Sequence, residues 1–189
     1  MAENAASPRP AGENAPNRSP DRSIALVGLM GAGKSTVGQK LAAKLALPFV
    51  DADTEIERAA RLDIPSLFER YGEAAFRDCE RRVIARLAGG PVQVIATGGG
   101  AFVDEATRRL LLARCHVLWL DAPVERLAAR VGRRGGRPLL DGRDPIEALE
   151  SLAAARTRYY AEAHIRIDAS EDRDETVARI LAALPSGLD

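Results

Sequence analysis

Residues 23–38 read SIALVGLMGAGKSTVG, and this stretch decides the fold. Ser23–Val27 is a short apolar run typical of a buried strand, whereas Lys34–Leu45 has the apolar spacing of a helix. Between them, residues 28–35 fit the pattern GxxxxGK[ST] of a phosphate-binding loop, or P-loop. The glycines let such a loop curl so that successive backbone N–H groups face phosphate oxygens, and the following helix adds its positive end. The stretch therefore predicts a nucleoside triphosphate site at the end of a strand.

The side chains of this loop indicate how a triphosphate and its metal ion would be held. Lys34 would reach the β- and γ-phosphates, and the Ser35 hydroxyl would bind Mg²⁺. Phosphoryl transfer relies on positioning and charge neutralisation, so it needs neither a cysteine nucleophile nor a histidine base. The predicted nucleotide contacts in the loop are Gly31, Ala32, Gly33, Lys34, Ser35 and Thr36.

The composition limits the partners of the chain. Among its 189 residues, 27 Lys and Arg balance 27 Asp and Glu, which gives no support to a nucleic-acid or membrane-surface partner. There is no apolar run of membrane-spanning length and no sign of a signal peptide. Cys79 and Cys115 lack CxxC spacing, and two isolated histidines do not make a zinc site. We therefore expect a cytoplasmic protein.

The rest of the chain alternates short apolar runs with helical patterns. Residues 1–21 lack both, which predicts a disordered tail, and residues 22–189 then form one α/β domain with a parallel sheet. The predicted strands are 23–27, 49–51, 92–96, 117–120 and 165–167. The predicted helices are 34–45, 53–60, 64–70, 74–87, 104–113, one from Pro123, 145–162 and 172–184. The segment 132–143, GRRGGRPLLDGR, predicts a mobile loop.

Acidic and glycine residues follow the second and third predicted strands, where open parallel sheets bind ligands. Asp51 and Asp53 could supply a magnesium-shell carboxylate and a base for an attacking hydroxyl. Asp53 could alternatively cap the next helix, whereas Asp51 is harder to explain as a cap. Three consecutive glycines at 98–100 are costly to order, which favours a close backbone approach to a ligand over a simple turn.

Two further patterns have competing interpretations. Arg77 and Glu80 lie three residues apart on a predicted helix, the spacing of an ordinary surface ion pair. Residues 117–121, VLWLD, fit a Walker B strand, which would place magnesium on Asp121. We favour Asp51 for that role, because Asp121 lies in the turn into a helix and an N-cap explains it adequately.

Together these motifs resemble the shikimate kinase family over residues 24–184. The matching segments are GLMGAGKSTVG at 28–38, DADTEIE at 51–57, FRDCE at 76–80, GGG at 98–100 and RPLL at 137–140. Each is modest alone, but their order and spacing are highly specific. Related small-molecule kinases share the P-loop without this series.

The resemblance implies a P-loop kinase fold, a three-layer α/β sandwich with a five-stranded parallel sheet, helices on both faces and a mobile lid at about 132–143. It implies ATP-dependent phosphorylation of the 3-hydroxyl of shikimate, in the route to chorismate and aromatic amino acids. ATP and shikimate would be the partners, Mg²⁺ the cofactor and a monomer the expected state.

The resemblance also implies catalytic roles. Asp53 would hold the reacting hydroxyl and could accept its proton. Lys34 and Arg137 would complete the catalytic set, with Arg137 closing over the phosphates and stabilising charge that develops during transfer. Asp51 would support magnesium through water, beside the Ser35 hydroxyl.

The implied substrate and nucleotide contacts include several arginines. Arg77 would bind the shikimate carboxylate, a task suited to a planar guanidinium, and Arg130 would lie close to the nucleotide. Backbone N–H groups of residues 98–100 (Gly98, Gly99 and Gly100) would face shikimate. Arg173 is a further, open candidate for a nucleotide contact.

A second carboxylate-binding arginine is expected in an R-x-P-L-Y pattern. The best match is residues 156–160, RTRYY, in which Arg156 takes the arginine position. The proline and leucine are absent, and Arg158 is a competing candidate.

Other functions remain to be separated from this one. A kinase for gluconate or a nucleotide would keep the P-loop but would not need Arg77 and Arg156 to face a carboxylate. A GTPase switch usually carries N-K-x-D, which is excluded because no asparagine follows Asn17. A regulatory ATP-binding protein would not need the RPLL segment.

Overall fold

Five parallel strands form the centre of the fold. The computed structural model describes residues 20–131 and 144–184. The strands are β1 (Ser23–Val27), β2 (Phe49–Asp51), β3 (Val94–Ala96), β4 (Cys115–Asp121) and β5 (Ile165–Asp168). They form one sheet in the order β2-β3-β1-β4-β5, and all neighbouring pairs are parallel. Each lies where the sequence predicts a strand, so the predicted fold class is confirmed.

The helices also follow the predicted pattern. The helices of the described residues are α1 (Lys34–Leu45), α2 (Ala52–Ala60), α3 (Ile64–Ala88), α4 (Glu105–Arg114), α5 (Val124–Val131), α6 (Pro145–Tyr160) and α7 (Arg173–Ala183). Within α3, Gly72 has φ 77° and ψ 174°, so two helical segments meet there at a kink. A side chain would be strained in that conformation, which explains the glycine and the two separate helices that the sequence predicts.

The central strand shows why these runs are apolar. Residues 24–27 of β1 are fully buried, since helices cover the sheet on both faces. The helices also pack against one another, α1 against α7 and α3 against α4. In the part of the chain that the structure describes, no helix is long and apolar enough to cross a membrane.

Two predicted segments, the tail and the lid, lie largely or wholly outside the described residues. The tail lies outside the described residues up to position 19, and the whole lid segment 132–143 lies outside them too. Asp21, which the prediction assigns to the tail, places a carboxylate oxygen 3.1 Å from Nε2 of His116.

The order of the strands determines where a ligand can bind. From β1 the chain first builds the sheet towards β3 and β2, and then crosses to β4 on the other side of β1. Open α/β sheets bind ligands at the carboxyl ends of the strands beside such a reversal. The P-loop follows β1, and the segments after β2 and β3 lie at the same edge.

Candidate active site

The P-loop has the conformation that its glycines require. Gly28 and Gly31 have φ values of 136° and 83°, which residues with a side chain rarely adopt. A Cβ atom at Gly28 would lie 2.5 Å from the Leu120 carbonyl oxygen, and one at Gly31 would lie 2.8 Å from that of Leu127. Glycine is therefore needed twice over, for the backbone conformation and for close packing against β4 and α5.

Lys34 forms hydrogen bonds within the loop, whereas Ser35 connects the loop to the end of β2. The Lys34 side chain is 9% exposed, and its Nζ donates to the carbonyls of Gly28 and Leu29, at 2.7 and 2.9 Å. Ser35 Oγ donates to Asp51 Oδ2 at 2.5 Å, which joins the start of α1 to the end of β2. The P-loop lysine thus lies over the loop itself, and the serine hydroxyl lies against a carboxylate.

The capping roles of Asp51 and Asp53 are the reverse of those predicted. Asp51 is the N-cap of α2, because its Oδ1 accepts the backbone N–H of Asp53 at 3.0 Å. Asp53 lies inside the first turn of α2 and does not cap it. The alternative that Asp53 is a cap is wrong, as is the expectation that Asp51 is hard to explain as one. The reason is that β2 runs directly into α2, which begins at Ala52, one residue earlier than predicted.

The three glycines at 98–100 allow side chains of the site to approach the backbone closely. A Cβ atom at Gly98 would lie 2.8 Å from Asp53 Oδ1 and 3.1 Å from Glu80 Oε1. A Cβ atom at Gly100 would lie 2.9 Å from both terminal nitrogens of Arg77. A residue other than glycine at position 98 would displace the side chain of Asp53, the predicted base. One at position 100 would displace Arg77, the predicted carboxylate-binding arginine.

Arg77 and Glu80 do not form the ordinary surface ion pair that their spacing predicts. Glu80 is only 2% exposed, and its Oε2 accepts from Arg77 Nη1 at 2.6 Å. Burial raises the pKa of Glu80, and the negative charges of Asp53 and Asp104 raise it further. The hydrogen bond and charge of Arg77 lower this pKa, but the net shift is upward. Burial lowers the pKa of Arg77, but the hydrogen bond and charge of Glu80 outweigh it and the net shift is upward. The helix places Glu80 against the glycine segment, where water is excluded.

Arg156 and Arg158 have different surroundings. Arg156 Nη1 donates to the Gly99 carbonyl at 3.0 Å, so this arginine lies at the glycine segment. Arg158 is exposed, donates to its neighbour Tyr159 at 2.7 Å and stacks on that ring. Tyr160, which matches the last position of R-x-P-L-Y, also donates to the Gly99 carbonyl, at 2.5 Å.

A cavity of about 540 Å³ opens beside the P-loop. Its lining residues come from the P-loop, the ends of β2 and β3, α5 and the start of α7: Met30, Gly31, Gly33, Lys34, Ser35, Thr36, Asp51, Asp53, Thr97, Gly99, Arg126, Ala129, Arg130, Val131 and Arg173. Most predicted nucleotide contacts are thereby brought together, although Ala32 is buried and is not among the lining residues. Arg77, Gly98, Gly100 and Arg156 are outside the lining and adjoin it through Asp53 and Gly99.

Three arginines lie on one side of this cavity. Arg130 Nη1 donates to the Ala169 carbonyl at 3.2 Å, which connects α5 to the segment before α7. Burial lowers the pKa of Arg130, and the positive charges of Arg173 and Arg126 lower it further. Sequence reasoning left Arg173 open and overlooked Arg126, which lies four residues before Arg130 on the same helical face.

Asp121 has a different role from the predicted one. Its carboxylate accepts from Nε and Nη2 of Arg166, at 3.0 and 2.5 Å. The Pro123 carbonyl closes the first turn of α5. The N-cap interpretation of Asp121 is therefore wrong, because the neighbouring strand β5 provides an ion-pair partner that the local sequence does not contain.

The metal and lid predictions can be located only in part. Arg137 falls within 132–143, outside the described residues. Among residues 20–131 and 144–184, no group of three or more His, Cys, Asp or Glu could hold a metal ion.

Comparisons with known proteins show the family of this chain. A family model described as shikimate kinase matches residues 30–185. The chain belongs to the shikimate kinase family. A shikimate kinase of Novosphingobium aromaticivorans is 50% identical over 172 residues, covering 88% of this chain and 89% of the relative. A shikimate kinase of Caulobacter vibrioides is 53% identical over 150 residues, covering 79% of this chain and 75% of the relative.

A solved structure extends the likeness to three dimensions. The shikimate kinase from Acinetobacter baumannii in complex with shikimate superposes with a TM-score of 0.82 at 38% identity. The match covers 87% of this chain and 96% of that one. The resemblance predicted from the motifs is confirmed. Glu80 and Tyr160, which sequence reasoning did not assign, occupy the last positions of two of those motifs, FRDCE and the R-x-P-L-Y match.

Proposed function

We propose that this member of the shikimate kinase family transfers the γ-phosphate of ATP to the 3-hydroxyl of shikimate, giving shikimate 3-phosphate and ADP. One observation carries the proposal. Asp53 lines the P-loop cavity and also lies against Gly98, beside the buried pair of Arg77 and Glu80. A carboxylate is thus located between a phosphate-binding loop and a guanidinium, which suits transfer to a hydroxyl of an anionic substrate.

The donor half of the site would hold ATP. Backbone N–H groups of residues 31–36 would contact the phosphates, and Lys34 would exchange its two carbonyl partners for phosphate oxygens. Arg130 and Arg173 line the far side of the same cavity, where the nucleoside end of ATP would lie. Arg137, from the lid segment, would close over the phosphates and stabilise negative charge during transfer.

Ser35 and Asp51 would hold Mg²⁺. The hydroxyl and carboxylate oxygens lie 2.5 Å apart and both line the cavity, and oxygen ligands are those that Mg²⁺ prefers. Ser35 would bind the ion directly, and Asp51 would support it through water. When bound, the ion supplies positive charge to the phosphates.

The acceptor half would orient shikimate. Arg77 approaches the glycine segment from α3 and Arg156 from α6, and each would bind the carboxylate through its planar guanidinium. Asp53 would accept a hydrogen bond from the reacting hydroxyl and take its proton. Backbone N–H groups of residues 98–100 would contact the ring substituents.

The proposed setting of the enzyme is the cytoplasm. The balanced charge argues against nucleic-acid and membrane partners, and Cys79 and Cys115 are free thiols, in keeping with the cytoplasm. The enzyme would act as a monomer. The described residues would form a single kinase domain.

A coupled assay of ADP release tests the proposal. ADP should form from ATP and Mg²⁺ when shikimate is present, and a 3-phosphate product should be identified by NMR. Gluconate and nucleoside monophosphates serve as alternative acceptors. Turnover with either of these and none with shikimate would refute the proposal.

A further inference from the structure

The carbonyl of Gly99 has two side-chain donors. Arg156 Nη1 lies 3.0 Å from this oxygen and the Tyr160 hydroxyl lies 2.5 Å from it. Gly99 also adjoins the P-loop, because a Cβ atom there would lie 3.4 Å from the backbone nitrogen of Met30. The orientation of this one peptide therefore affects both halves of the site.

Tyr160 is held firmly on the inner side of this carbonyl. Its side chain is 1% exposed, and its ring stacks on Trp119 with centroids 5.9 Å apart. The two rings also line a second cavity of about 520 Å³. Burial raises the pKa of Tyr160, and nearby Arg156 offsets this only in part. The hydroxyl therefore keeps its proton and remains a donor to Gly99.

Arg156 and Tyr160 respond differently to the binding of shikimate. Under the proposed function, on which this inference rests, the shikimate carboxylate draws Arg156 away from Gly99. The Gly99 carbonyl is partly buried, and leaving such a group without a donor carries a cost. Tyr160 has no part in binding the carboxylate, so its hydroxyl stays on Gly99 throughout.

We propose that Tyr160 is a positioning residue whose hydroxyl keeps the Gly99 carbonyl hydrogen-bonded when Arg156 turns to the substrate. It acts through Gly99 and does not take part in the chemical step. Without its hydroxyl, Arg156 becomes the only side-chain donor to this carbonyl in the described structure. Binding of shikimate then has to break that last contact, so affinity for shikimate falls while affinity for ATP does not.

The substitution Tyr160→Phe removes only the hydroxyl, and Tyr159→Phe is its matched control on the neighbouring position. We expect Tyr160→Phe to raise the KM for shikimate roughly three- to tenfold, with the KM for ATP and kcat unchanged. Tyr159→Phe should match the wild-type enzyme. Circular dichroism and Tm establish that each variant is folded.

A double-mutant cycle with Arg156→Ala gives a readout that a purely structural role would not produce. Once Arg156 is absent, shikimate has no donor to draw from Gly99, so Tyr160→Phe should then leave the KM for shikimate unchanged. Additive effects in the double variant would overturn the proposal. So would a Tyr160→Phe enzyme with a lowered Tm and an unchanged KM. Failure of the proposed function appears separately, as a wild-type enzyme without shikimate-dependent ADP release.

Discussion

The donor and acceptor halves of the site are built in different ways. The donor half is mainly one continuous segment, residues 28–36, whose glycines and lysine lie next to one another in the sequence. The acceptor half combines Asp53, Arg77, Glu80 and Arg156, and the contact from Arg156 to Gly99 joins residues 57 positions apart. Local backbone geometry therefore builds the first half, whereas the packing of α2, α3 and α6 around the glycine segment builds the second.

This difference predicts how the two halves respond to mutation. A change in the donor half should remove turnover with every acceptor. Changes in the acceptor half should separate three effects: the chemical step, the binding of shikimate and the stability of the fold.

The largest effect is expected for Lys34→Ala. Loss of the phosphate-facing ammonium should lower kcat by at least about a hundredfold, because it stabilises charge in the transition state. Lys40→Ala is the control, since Lys40 lies on the same helix and pairs with exposed Asp174. The measurement is kcat normalised to the concentration of folded enzyme. Near-normal turnover by Lys34→Ala would contradict the P-loop assignment.

Asp53→Asn tests the proposed base. The amide cannot accept a proton, so kcat should fall on the order of a hundredfold while Tm stays close to that of the wild type. Asp63→Asn is the control, because Asp63 caps α3 and asparagine caps equally well. If Asp53→Asn instead lost stability with full activity in the folded fraction, Asp53 would have only a structural role.

Arg77→Ala should weaken shikimate binding far more than ATP binding. It also leaves Glu80 buried without its partner, which should cost on the order of 3 kcal/mol, or roughly 6–12 °C in Tm. The matched variant Arg77→Ala/Glu80→Gln also removes the buried charge at position 80. It should regain most of the lost Tm without regaining affinity for shikimate, and equal recovery of both would contradict the proposed contact.

The stability loss in Arg77→Ala should depend on pH. Glu80 already has a raised pKa, and removal of Arg77 raises it further. The folded state then binds more protons than the unfolded state, so stability falls as pH rises from the ordinary carboxyl pKa of about 4.3. The difference in Tm from the wild type should be smaller at pH 5 than at pH 8. A difference that grows towards acid pH would exclude Glu80 as the cause.

The smallest effect is expected for Arg173→Ala. The guanidinium lines the nucleotide cavity beside Arg130, so its loss should raise the KM for ATP roughly three- to tenfold and leave the KM for shikimate unchanged. Arg179→Ala, on the same helix but paired with Glu175, is the control. Equal kinetics for the two variants would remove Arg173 from the nucleotide site.

Sequence patterns located the secondary structure well because those signals are local. The helix at 34–45 begins and ends where predicted, and Gly72 separates two helical segments as its position indicates. Capping was predicted less well, because Asp51 and Asp53 are only two residues apart and a shift of two residues in the helix start exchanges their roles.

The sequence by itself determined the P-loop, the α/β fold and the family, since each depends on residues close together or on motifs in a fixed order. Only the tertiary structure decided which partner each side chain meets. Asp121 pairs with Arg166 from a neighbouring strand, and Glu80 is buried instead of exposed. Arg156, and not Arg158, reaches Gly99. These outcomes depend on contacts between distant segments, and the burial that those contacts create sets their electrostatics.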